Sequence, residues 1–232
     1  MNDKSRFILW HWVVPSLIAC AGFALIRYWA VDEQLAIFFS NDAAWPYKDN
    51  WWLTKVVHNL GHKLAIIAYM LVFIYWAVKR IQGVKAQAIG YALTAIAISV
   101  LVINLCKTLL HFPCPWDAAN SLGQLIPYAW RPNAAGCFPS GHASSGYAWV
   151  CFYYVAYSQP MCRRALLAIA IAIGLAFGIA QQIRGAHFLS HDWLCAYFCW
   201  MIASVLFFVW PKPQAASSSL GYRGISSTAA AG

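Results

Sequence analysis

Long, uninterrupted apolar runs constrain this chain more than any other feature. Phe7–Ile26, Ala86–Leu110, Ala165–Ile183 and Asp192–Trp210 approach or exceed the roughly 18–20 apolar residues that cross a bilayer. Two shorter runs, Leu64–Val78 and His142–Tyr157, reach that length only by recruiting flanking residues such as Trp51–Lys63. A soluble domain is excluded, because 62% of the chain is hydrophobic and only 10% is charged, against about 25% charged in globular proteins. The runs do not alternate polar and apolar residues, so they read as helices and not as barrel strands. The expected fold class is all-α: a polytopic six-transmembrane-helix bundle forming one domain over residues 1–213. Residues 214–232, rich in Ser, Ala and Gly, read as a disordered tail.

Lys4 and Arg6 precede the first run, and Leu17–Cys20 has the form of a lipoprotein cleavage site. The apolar stretch continues through Ile26, past the end of a signal peptide's core, so the first span is expected to be retained. Six spans place both termini on one side. Lys4, Arg6, Lys79, Arg80, Lys85, Arg163, Arg164, Lys212 and Arg223 lie on that side, mostly in short connections. Arg27, Lys48, Lys55, Lys63, Lys107, Arg131 and Arg184 lie opposite, spread through longer loops. The density of cations in short loops puts the termini in the cytoplasm and the long loops outside. The net charge of +9 then matches anionic membrane lipids as partners, and not nucleic acid.

Ionisable groups inside apolar spans are costly and point to function. Here they gather at one membrane level. Lys107 lies near the outer end of the third span and His142 opens the fourth. Arg184, His187, His191 and Asp192 sit in "QQIRGAHFLSHDW", between the fifth and sixth. Singly, Lys107 can snorkel, Arg184 can anchor a helix end and His142 can cap one. Together they suit phosphate. Lys107 and Arg184 neutralise a dianion, and the turn Pro139–Gly141 leads into a helix N-terminus whose free N–H groups bind phosphate oxygens. Two histidines supply a nucleophile and an acid.

At these residues the sequence resembles the type 2 phosphatidic acid phosphatase family, six-span membrane enzymes with signatures Lys-x6-Arg-Pro, Pro-Ser-Gly-His and Ser-Arg-x5-His-x3-Asp. The second is intact as Pro139-Ser140-Gly141-His142. The resemblance makes His142 the general acid for the leaving oxygen, with Ser140 and Gly141 holding phosphate. In the first signature Lys107 carries over as a phosphate ligand, but Cys114 stands in the arginine position, and Arg131 in the same loop is the candidate replacement. In the third, His187 matches the nucleophile. Gln181 stands where the arginine belongs, with Arg184 one turn on, and His191 stands where the aspartate belongs, with Asp192 next to it. Either His191 or Asp192 is then expected to hold the other ring nitrogen of His187, and Asp192 is favoured because a carboxylate also stabilises imidazolium.

The implied enzyme is a lipid phosphate phosphatase of a bacterial inner membrane, with its active site facing the periplasm. It works through a phosphohistidine and needs no cofactor or metal, since fixed cations neutralise the phosphate. The resemblance offers phosphatidic acid, phosphatidylglycerol phosphate, a polyprenyl diphosphate and lipid A phosphates as substrates. The loops Asp32–Trp51 and Asp117–Trp130 are expected to choose among them. A lipid phosphotransferase, or a degenerate lipid-binding or transport protein, are the alternatives. His58-x3-His62 and His187-x3-His191 have zinc-ligand spacing but lack a zinc-protease Glu, and an intramembrane serine protease lacks its Gly-x-Ser-Gly. Cys114 and Cys137 share the long outer loop, where an oxidising compartment permits a disulfide across the site mouth.

Overall fold

A computed structural model describes residues 2–41, 45–119, 124–134 and 136–211. The expected tail at 214–232, and parts of both substrate-choosing loops, lie outside these residues. The described chain is helical, apart from an isolated bridge between Ala119 and Leu125. In order come α1 (Asp3–Tyr28), α2 (Val31–Phe39), α3 (Trp52–Ile81), α4 (Gln87–Leu110), α5 (144–155), α6 (Pro160–Ile183) and α7 (Leu189–Val209). Helix α1 contains a π-helical turn at Leu9–Val13, and α3 opens with a longer π-helical stretch, Trp52–Leu60.

Five helices, α1, α3, α4, α6 and α7, are long and apolar enough to cross a membrane. The second run does recruit its flank, since α3 is continuous from Trp52 to Ile81. The run expected as a fourth span differs. It forms α5, built of an α-helical piece (Ser144–Tyr147), a 3-10 piece (Ala148–Cys151) and another α-helical piece (Phe152–Val155). At 1.5 Å per residue this covers about 18 Å, well short of the ~30 Å hydrocarbon core. Pro160 sets the limit: it starts α6 and biases the residue before it, Gln159, away from helix.

Helix α5 occupies the middle of the bundle, with α4, α6 and α7 around it. Its Tyr147, Ala148, Val150, Cys151 and Tyr154 are buried with Ala92, Ala95 and Ile103 of α4 and Cys195, Cys199 and Ala203 of α7. The last three recur every four residues and so line one helix face. Small residues let backbones touch: a Cβ on Gly146 of α5 would lie 2.3 Å from the amide nitrogen of Gly174 in α6. Close approach over small residues is how helices pack where burial from water no longer drives association. The outer helices show apolar faces instead, with Leu17 and Ile18 of α1 and Leu64, Ile67 and Leu71 of α3 exposed. Tryptophan N–H groups of α7 hold α1 in place, Trp193 bonding the Ala19 carbonyl at 3.0 Å and Trp200 the His11 carbonyl at 2.9 Å. This connectivity brings the end of α4, the start of α5 and the α6–α7 connection to one end of the bundle.

Candidate active site

Lys107 lies in the last turn of α4, and the loop that follows folds back over it. Gly136, at φ +65°, makes this contact possible, because a Cβ there would lie 2.2 Å from the Lys107 carbonyl oxygen. Cys137 is thereby laid against the end of α4, its N–H donating to the Phe112 carbonyl at 2.8 Å. It is also paired with Cys114, the two Cα atoms 5.1 Å apart. The Cys137 carbonyl lies 2.7 Å from His187 Nδ1. A carbonyl can only accept, so Nδ1 carries the proton and Nε2 keeps its lone pair for attack.

His142 stands in the turn just before α5, half-buried, its ring centroid 6.2 Å from that of His187. Gly141 lies beneath the Lys107 ammonium, which would be 3.3 Å from a Cβ at that position. His187 is buried, and burial, with His191 and Lys107 nearby, holds its imidazole well below the usual histidine range. It is therefore neutral, the form that can act as nucleophile. Arg184, buried, is the C-cap of α6. Its Nε donates to the Lys48 carbonyl at 2.9 Å and a terminal nitrogen donates to Gln181 Oε1 at 3.1 Å.

Residues 88–214, more than half of the chain, match the PAP2 superfamily. The chain belongs to the PAP2 superfamily. No curated protein and no solved structure matches it. PAP2 is a phosphatase-type family, and the matched range contains Lys107, His142, Arg184 and His187.

Four expected site residues stand elsewhere in this PAP2 chain. Asp192 does not hold His187: its Oδ2 accepts from Gln182 Nε2 at 2.6 Å. The Cys137 carbonyl has taken the orienting position. His191 is fully buried edge-on against Tyr128, Phe138 and Phe188, away from Nδ1 of His187. Ser140 faces the protein and not the pocket. It is fully buried, its N–H donating to the His191 carbonyl and its Oγ accepting from the Ala143 N–H. Arg131 does not replace an arginine at position 114, because its guanidinium donates to the carbonyls of Asp117, Ala118 and Ala119 and braces that loop.

Two residues outside the PAP2 match join the site. His58 packs against His142, tilted by 34° with centroids 3.9 Å apart, and the His62 ring lies 6.1 Å from that of His142. The four-residue spacing of this pair is visible in the sequence. What is not visible there is that α3 carries both rings to His142.

Proposed function

We propose that the chain is an integral membrane phosphatase that hydrolyses a lipid phosphate or diphosphate through a phosphohistidine, at the outer face of a bacterial inner membrane. One observation carries this reading: Lys107, His142 and His187 come from three distant segments and meet, with the imidazole centroids 6.2 Å apart and the ammonium over Gly141. His187 Nε2 attacks phosphorus in line, and the P–O bond to the leaving group breaks as His142 gives its proton to the departing oxygen. Water then attacks the phosphohistidine, His142 takes its proton, and the N–P bond breaks to release inorganic phosphate. Lys107, helped by Arg184, stabilises the charge on the equatorial oxygens.

His142 is held neutral, its pKa pushed down by burial, then by His58, His187 and Lys107. Its proton arrives with the phosphate, whose second pKa is about 6. Helix α5 begins at the site end and α6 returns to it, so α5 counts as a short sixth crossing and both termini share the far side. The cations in the short connections support a cytoplasmic placement of that side.

Purified protein in detergent, given a chelator and the four candidate lipids, tests the reading. Phosphate release should survive chelation and fall by about 10²–10⁴-fold in His142→Ala, the usual worth of a general acid. In His187→Ala it should vanish. Folded wild-type protein that releases phosphate from none of them overturns hydrolysis and leaves phosphate transfer or lipid binding.

A further inference from the structure

We propose that His58 and His62 form the leaving-group side of the site, and that they bind a second phosphate, so that the preferred substrate is a lipid diphosphate. The inference rests on the phosphatase reading above and adds a specificity element to it.

Placement is the first argument. His142 protonates the leaving oxygen, and it is the ring that both α3 histidines approach, at 3.9 and 6.1 Å. Several independent features hold the pair there. His58 Nδ1 is 2.7 Å from Asn59 Oδ1, and His62 Nδ1 is 3.2 Å from Ser145 Oγ, one turn beyond His142. Between them Gly61 lets α3 press onto α6, since a Cβ at that position would come within 2.4 Å of the Phe177 ring. The π-helical turn ending at Leu60 widens the helix where His58 projects, and such turns recur at functional sites.

Chemistry is the second argument. An alkoxide leaves as a neutral alcohol once His142 has protonated it, and needs no further polar partner. A leaving phosphate carries charge over several oxygens and needs donors. With each Nδ1 committed to a neighbour, the Nε2 atoms of His58 and His62 are the ones open to a ligand, and both face the interval next to His142.

The third argument is what lies beyond the pair. At His62 an apolar groove of about 250 Å³ begins, bordered by Ala65, Ile66 and Tyr69 of α3 and by Ile96 and Val100 of α4. A tail in that groove is separated from the reacting phosphorus by the imidazole pair. A monophosphate ester would set its first methylenes among ring nitrogens and leave them unpaired, which is unfavourable. A diphosphate fills the same interval with acceptors.

The test compares farnesyl monophosphate with farnesyl diphosphate, which share one tail, on the full chain in detergent. Wild type should prefer the diphosphate in kcat/KM. His58→Leu and His62→Leu should each cut the diphosphate-to-monophosphate ratio by about 10–100-fold, the range of one lost hydrogen bond to a charged group. The change should appear mainly in KM, and His58→Gln should recover part of it. Equal losses on both substrates, or an unchanged ratio, overturn the proposal while leaving the phosphatase reading intact. If wild type hydrolyses neither substrate, the phosphatase reading is decided by the four-lipid assay. The specificity claim then stands or falls on binding of the matching farnesyl phosphonate and methylene-diphosphonate, measured by calorimetry. Wild type must prefer the diphosphonate, and both leucine variants must lose that preference.

Discussion

Gly136→Ala tests whether the loop lying against α4 sets the state of the nucleophile. Two separable costs follow from the geometry. An alanine at φ +65° pays the left-handed penalty of about 1–2 kcal/mol. In addition its Cβ would lie 2.2 Å from the Lys107 carbonyl oxygen, a backbone atom that no rotamer change can move aside. The segment must lift, and it takes with it the Cys137 carbonyl that bonds His187 Nδ1 at 2.7 Å. A displacement of about 1 Å at such a distance costs on the order of 10²-fold in rate. Gly83 is the control. It has φ +79° at the opposite end of α4 and nothing within 4 Å of a Cβ, so Gly83→Ala carries the strain without the clash. Both variants should lose thermal stability, by about 2–8 °C for 1–2 kcal/mol in a chain of this size. Only Gly136→Ala should lose kcat, measured as phosphate release at saturating lipid. Full kcat in Gly136→Ala, with its stability loss confirmed, refutes the claim that this loop orients His187.

Other outcomes follow from the same geometry. His187 is held neutral, so lowering the pH from 7 to 5 should not remove the nucleophile, while raising it through about 6 deprotonates the substrate phosphate that supplies His142. The kcat/KM profile should therefore peak on the acid side of neutrality, and an optimum above pH 8 contradicts this assignment. Mass mapping after thiol labelling should find Cys114 and Cys137 unlabelled without reductant, while Cys162, exposed in the first turn of α6, reacts. Reduction should open the pair and lower activity together with it. Asp32, fully buried, accepts from both the N–H and the hydroxyl of Ser190 in the first turn of α7. Asp32→Ala leaves those donors unpaired and should cost about 1–3 kcal/mol, read as a lower melting temperature. An unchanged melting temperature sinks that role.

The helices were legible because hydrocarbon demands long apolar runs, and Lys107, His142 and His187 were legible because charged groups at that depth are rare. Helix α5 is shorter than its apolar run, and only the proline at 160 and the central position of the helix reveal how short it is. Arg131 was misjudged because a guanidinium in the right loop says nothing about which carbonyls it meets. His58 and His62 could be seen as a pair but not placed, because their role depends on an approach between α3 and α6 that Gly61 permits and Phe177 completes. The partner of His187 could not be found from residue types at all. It is a backbone carbonyl, and any residue could have supplied one.

That carbonyl changes the chemistry expected of the intermediate. A phosphohistidine formed at Nε2 keeps its proton on Nδ1, so the ring carries positive charge until phosphate leaves. A carboxylate partner would stabilise this charge through a charge-assisted bond, roughly twice as strong as a neutral one. The Cys137 carbonyl offers only a dipole at 2.7 Å, while the Asp192 carboxyl is turned to Gln182. Charge on the ring is thus less stabilised during attack and in the intermediate alike, which slows formation of the phosphoenzyme and hastens its loss. Formation should limit turnover. Rapid-quench experiments should then show no burst of leaving group and a phosphoenzyme occupancy far below one per chain. A stoichiometric burst overturns this reasoning, because it requires an intermediate whose charge is held by something stronger than the Cys137 carbonyl.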